Sequence, residues 1–94
     1  MPIVAPWEWE SFSEQDRAIL KVLVRAGRGG LTTTGIAKAL GLESPEGSGR
    51  VMVYKRLKRI TKISERMKGA SLVLPDGRQW VMNWDDYDFA QLEE

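Results

Sequence analysis

Residues 49–67 read GRVMVYKRLKRITKISERM, and the fold turns on how this stretch is read. Val53, Leu57, Ile60, Ser64 and Met67 follow one another at steps of four, three, four and three. At about 100° per residue they stack into a single stripe, the pattern of an amphipathic helix laid against a core. The opposite face carries Val51, Tyr54, Lys55, Lys58, Arg59, Lys62 and Arg66. Five cations along a helix of roughly 27 Å make a dense positive array. A rod of that diameter fits the major groove of B-form DNA. Lys and Arg are also good helix formers, so a solvated surface helix accounts for the charge by itself. The residues before the helix separate these two readings.

Residues 31–42 read LTTTGIAKALGL. A threonine caps a two-turn helix, Ile36, Ala37 and Leu40 point inward, and Gly41 terminates it. Ala37 is small enough for a second helix to cross closely. "LTTTGIAKALGL" followed by "VYKRLKRI" resembles the helix-turn-helix of winged-helix DNA-binding proteins, of the small prokaryotic, phage or archaeal regulator type. In that superfamily the second helix carries a similar Ile-Ala-x-x-Leu-Gly pattern, and the recognition helix has apolar residues at positions like Val53, Leu57 and Ile60. The resemblance covers about residues 14–84. The link 43–49 departs from it, because the usual connection is about three or four residues. Here it is longer, polar and glycine-rich, and reads as a mobile loop without helix or strand pattern. Its Glu43 and Glu46 fall near where DNA would lie. On the resemblance, either the loop orders on binding or the helix approaches at a different angle.

Toward the N-terminus, Ser13 with Asp16 forms a capping-box pattern that starts a first helix over 14–26. Ile19, Leu20, Leu23 and Val24 make its core stripe, and Gly27 ends it. Leu31 reads as a short bridging strand. In 1–12, two prolines argue against helix. Trp7 and Trp9 alternate with Glu8 and Glu10, as in an extended arm lying on the core. Toward the C-terminus, 71–74 and 79–84 flank Pro75-Asp76-Gly77-Arg78, a hairpin signal. Trp80, Met82 and Trp84 share one face, with Leu72 and Leu74 expected across the ladder. The remainder, 85–94, is acidic; Tyr87, Phe89, Ala90 and Leu92 form either a short docking helix or a frayed tail.

Ninety-four residues with 43% hydrophobic and 29% charged content describe one globular domain. No cysteine and no histidine are present, which removes disulfides, thiolate zinc sites and the commonest general base. The net charge of +1 conceals a segregation. Residues 17–68 hold thirteen Lys/Arg against three Glu, whereas 1–16 hold four acids and no base, and 69–94 hold six acids against Arg78 alone. Nucleic acid responds to the local field within about 10 Å, so the basic middle points to a polyanion. No apolar run approaches the roughly 20 residues of a membrane span, and no basic-then-apolar leader opens the chain. The default localisation is therefore cytoplasmic. No phosphate-loop or EF-hand spacing occurs, although Asp85, Asp86 and Asp88 cluster.

The expected fold is α+β: a winged helix-turn-helix with a three-helix core and a C-terminal two-stranded wing. It forms a single domain over 1–94, made of an arm (1–12), a helical core (14–67), a wing (71–84) and an acidic tail (85–94). The expected function is sequence-specific binding of double-stranded DNA by a small transcriptional regulator or a phage or plasmid accessory protein. No enzymatic activity, metal or cofactor is expected. The alternative is a winged-helix protein–protein interaction module in a transcription or replication complex. The candidate DNA-binding residues are Thr33, Thr34 and Lys38, then Arg50, Val51, Tyr54, Lys55, Lys58, Arg59 and Lys62, and Arg78 in the wing. Within the third helix, Arg50, Val51, Tyr54 and Lys55 are expected at base edges, and Lys58, Arg59 and Lys62 at backbone phosphates. The acidic aromatic ends are the candidate surface for a homodimer.

Overall fold

The computed structural model describes residues 3–4 and 12–89. Most of the expected arm, including Trp7 and Trp9, and the end of the tail, including Ala90 and Leu92, lie outside the described residues. The elements are β1 (Ile3–Val4), α1 (Glu14–Ala26), β2 (Leu31–Thr32), α2 (Thr33–Ala39), α3 (Ser48–Lys68), β3 (Val73–Asp76), β4 (Gln79–Met82) and β5 (Tyr87–Asp88). The fold is α+β, with three helices against an antiparallel sheet of order β2-β4-β3 and a separate parallel pair, β1-β5.

The helix starts follow their caps. Ser13 Oγ accepts from Asp16 N at 3.2 Å, while Ser13 N donates to Asp16 Oδ2 at 3.3 Å, completing the capping box. Thr32 Oγ1 accepts from Gly35 N at 2.9 Å and starts α2. Gly41, at φ 70°, closes α2 with Gly41 N donating to Lys38 O and Leu42 N to Ala37 O, both at 3.1 Å. That pair of bonds is the Schellman motif. After α1, one 3-10 turn, Gly27–Gly29, brings the chain back to the sheet. Gly30 takes φ 71°, and a Cβ there would stand 2.5 Å from Val81 Cγ1 and 2.6 Å from Trp80 O. Only glycine lets the backbone lie this close to β4.

The core gathers Ile19, Leu20, Leu23 and Val24 of α1, Ile36 and Ala37 of α2, and Val53, Leu57 and Ile60 of α3 under Val73, Trp80 and Met82. Ser64, in the same stripe, donates to Ile60 O at 2.7 Å and accepts from Leu72 N at 3.0 Å, pinning the strand entry to the helix. Met67 departs from its expected place in the stripe and is 43% exposed. Residues 65–69 are all exposed, so the last turn of α3 projects beyond the elements that would cover it.

Three further expectations are corrected. The 43–49 link is not devoid of regular structure. Ser44 O accepts from Gly47 N and Gly49 N, each at 2.9 Å, and α3 begins at Ser48. Buried Gly49 makes this possible, since its position leaves a Cβ only 3.0 Å from Ser44 O. In the hairpin the turn is Gly77-Arg78, with Pro75 and Asp76 already paired to Trp80 and Gln79. Gly77 at φ 63° occupies the first central position, where a two-residue turn of type II′ requires glycine. Directly opposed residues share a face, so Val73, not Leu74, meets Met82 on the inner side. Leu74 pairs with Val81 and is 38% exposed, while buried Leu72 lies just ahead of the strand.

The third correction concerns the tail. Residues 87–88 form a strand beside β1, not a helix. Asn83 redirects the chain: its Nδ2 donates to Ser71 O at 2.9 Å, and its Oδ1 accepts from Asp86 N at 3.2 Å. Tyr87 and Phe89 are then buried, with Tyr87 Oη donating to Ala70 O at 2.6 Å and the two rings stacked at 5.8 Å. These two rings therefore belong to the core and not to an exposed aromatic surface.

Candidate nucleic-acid interface

Burial of the α3 stripe determines what the rest of that helix presents. Arg56 lies on one flank, beside the start of α1. Its Nη2 donates to Gln15 Oε1 at 2.6 Å and its Nη1 to Ser13 Oγ at 3.5 Å, with Asp16 Oδ1 3.7 Å away. Asp16 is fully buried, and its Oδ1 has no hydrogen-bond partner, so the guanidinium is its nearest electrostatic compensation. Arg56 thus belongs to the fold. Tyr54 lies on the other flank, its ring edge-on to Trp80 at 6.3 Å and 70°.

Between these flanks, Val51, Lys55, Lys58, Arg59, Lys62 and Arg66 are all exposed. Lys55, Lys58, Arg59, Lys62 and Arg66, with the half-buried Ile63, line one open trough of about 480 Å³. Among the described residues, none of these five cations makes an ion pair or a side-chain hydrogen bond. Their charges are within a Debye length of their neighbours and add to one field. The remaining candidates are distributed around this helix. Lys38, on α2, pairs with Glu46 Oε1 at 3.9 Å, both side chains well exposed. Arg50 Nε donates to Glu46 O at 2.9 Å. Glu46 therefore engages two of the candidate cations, Lys38 through its carboxylate and Arg50 through its backbone carbonyl. Thr33 and Thr34 are half-buried in the first turn of α2, and Arg78 is exposed in the hairpin turn. These three have no hydrogen bond or ion pair to the α3 cations.

The expected outward array is thus brought together on α3. Sequence reasoning missed the Arg56–Asp16 tie and the support of Tyr54 by Trp80. The first had a signal, since Arg56 is three residues from Val53 and therefore borders the buried stripe. The second pairs residues 26 positions apart, and no local pattern reports it. Among the described residues, no three His, Cys, Asp or Glu side chains gather as a metal site, and no helix is long and apolar enough to cross a membrane. No protein-family model, no curated protein and no solved structure matches the chain.

Proposed function

We propose that the chain binds double-stranded DNA, with α3 as the recognition helix of a winged helix-turn-helix and the β3–β4 hairpin as its wing. A small transcriptional regulator or a phage or plasmid accessory protein is the corresponding role. The single observation that carries this reading is the row Lys55, Lys58, Arg59, Lys62 and Arg66, outward on one helix and free of ion pairs among the described residues. A surface helix meant only for water has little reason to leave five cations unpaired along one trough. A polyanion repays that arrangement through counterion release. Arg78, at the hairpin tip, supplies a further cation where a tight turn enters a groove.

Changing Lys58, Arg59 and Lys62 together to Ala leaves the fold intact, because all three are exposed, and lowers the salt slope by about three units. Duplexes selected from a random pool, titrated by fluorescence anisotropy at two salt concentrations, provide the measurement. Unchanged affinity of the folded triple variant at about 50 mM salt overturns the reading. One observation favours the alternative of a protein–protein interaction module: Glu43 and Glu46 are exposed at the start of α3, where they oppose a phosphate backbone. That alternative takes over if wild-type protein binds no duplex.

A further inference from the structure

Not all of the outward face of α3 is cationic. Val51 is two residues from buried Val53, hence about 200° around the helix, on its crest. Val51 is 45% exposed, and Tyr54, three residues on, is 49% exposed. Both precede or flank Lys55, where the row of cations begins. Arg50, the neighbouring cation, is turned back by its bond to Glu46 O, so its guanidinium is tethered to the link. Tyr54 is supported from behind by Trp80. On the other side of the crest, Ser48, Val51 and Met52 with Lys55 and Arg56 line an open depression of about 620 Å³. The result is an apolar head on a helix whose following turns are basic.

We infer that Val51, with Tyr54 beside it, reads the C5-methyl group of a pyrimidine in the major groove, an inference that rests on the DNA-binding reading above. Phosphates attract the cations but offer nothing to a valine. Of the groups that base edges display in the major groove, the C5-methyl is the apolar one, and small apolar side chains are its usual contacts. It is carried by thymine and, where cytosine is modified, by 5-methylcytosine. Isolated exposed apolar residues are common on protein surfaces. What distinguishes this pair is its location: the crest at the start of the helix, ahead of the basic row and beside an apolar depression.

The test starts from a duplex selected by the wild-type protein. Each dT is replaced in turn by dU, which removes only the methyl group, and each dC by 5-methyl-dC, which adds one. At one or two positions dU raises Kd about fourfold, equivalent to the roughly 0.8 kcal/mol of one buried methylene-sized group. Val51→Ala, which loses two methyl groups, narrows the difference between the dT and dU duplexes most, and Val51→Thr, which exchanges one methyl for a hydroxyl, narrows it less. Val51 is exposed, and unchanged thermal melts verify that both variants are folded. A loss with dU assigns thymine. No loss with dU but a similar gain with 5-methyl-dC assigns the modified cytosine. If neither replacement changes Kd at any position, the inference is overturned while DNA binding stands. If no duplex is bound at low salt, both fall together.

Discussion

Gly27 and Gly30 offer a controlled comparison. They take nearly the same backbone conformation, φ 70° with ψ −155° and φ 71° with ψ −177°. Both lie in the region that only glycine occupies freely, so alanine at either position costs about 1–3 kcal/mol of backbone strain. Their surroundings differ. A Cβ at Gly27 meets nothing within 4 Å, whereas at Gly30 it stands 2.5 Å from Val81 Cγ1 and 2.6 Å from Trp80 O. Val81 is β-branched and cannot swing aside freely. Trp80 O is backbone of the central strand β4, which is paired on both sides. Forcing a methyl group into such a site adds about 1–3 kcal/mol. The whole domain holds about 5–14 kcal/mol, so the second increment is large. Gly30→Ala should melt roughly 5–20 °C below Gly27→Ala, taking about 4–8 °C per kcal/mol for a domain of this size. Urea and thermal melts of the two variants and wild type, followed by far-UV circular dichroism, provide the measurement. Equal melts for the two variants would refute the close approach of residue 30 to β4, and with it the tie of β2 into the sheet.

Further outcomes follow from the Arg56–Asp16 and Lys38–Glu46 ion pairs and from the buried tyrosine. Arg56→Ala leaves Asp16 buried without its cation and should cost about 3 kcal/mol, read in urea melts; adding Asp16→Asn to it should recover part of the loss. Glu46→Gln frees Lys38 and removes an acid from the link, so on the proposed DNA-binding reading it should tighten duplex binding about two- to fivefold at low salt, with the gain fading as salt rises. Burial, followed by the charge of Asp86, raises the pKa of Tyr87 above its ordinary 10.0. The folded state therefore keeps this proton where the unfolded chain loses it. Stability from Tyr87 is complete below pH 10.0 and is lost as pH rises through the folded value. Tyr87→Phe should be less stable at neutral pH, having lost the bond to Ala70 O, yet show a shallower decline above that pH.

Short-range rules acting on neighbouring residues account for what was legible in the sequence. The Ser13/Asp16 capping box, the Thr32 cap, the glycine stops at 27 and 41, and the four-three spacing of Val53, Leu57 and Ile60 all depend on residues within about one helical turn of each other. So does the outward row Lys55, Lys58, Lys62: once the stripe is buried, helical geometry leaves these cations nowhere else to point. Long-range packing decided the rest. The end of the buried α3 stripe before Met67, the burial of Tyr87 and Phe89, and the choice of Asp16 as the partner of Arg56 depend on which elements meet in space, and sequence periodicity carries no information about that. The inner place of Val73 was set by a two-residue turn in which the register of the whole hairpin follows from Gly77. The tertiary fold alone determined that Arg56 is spent on Asp16 and Lys38 on Glu46, because those acids lie outside the helices that carry the cations.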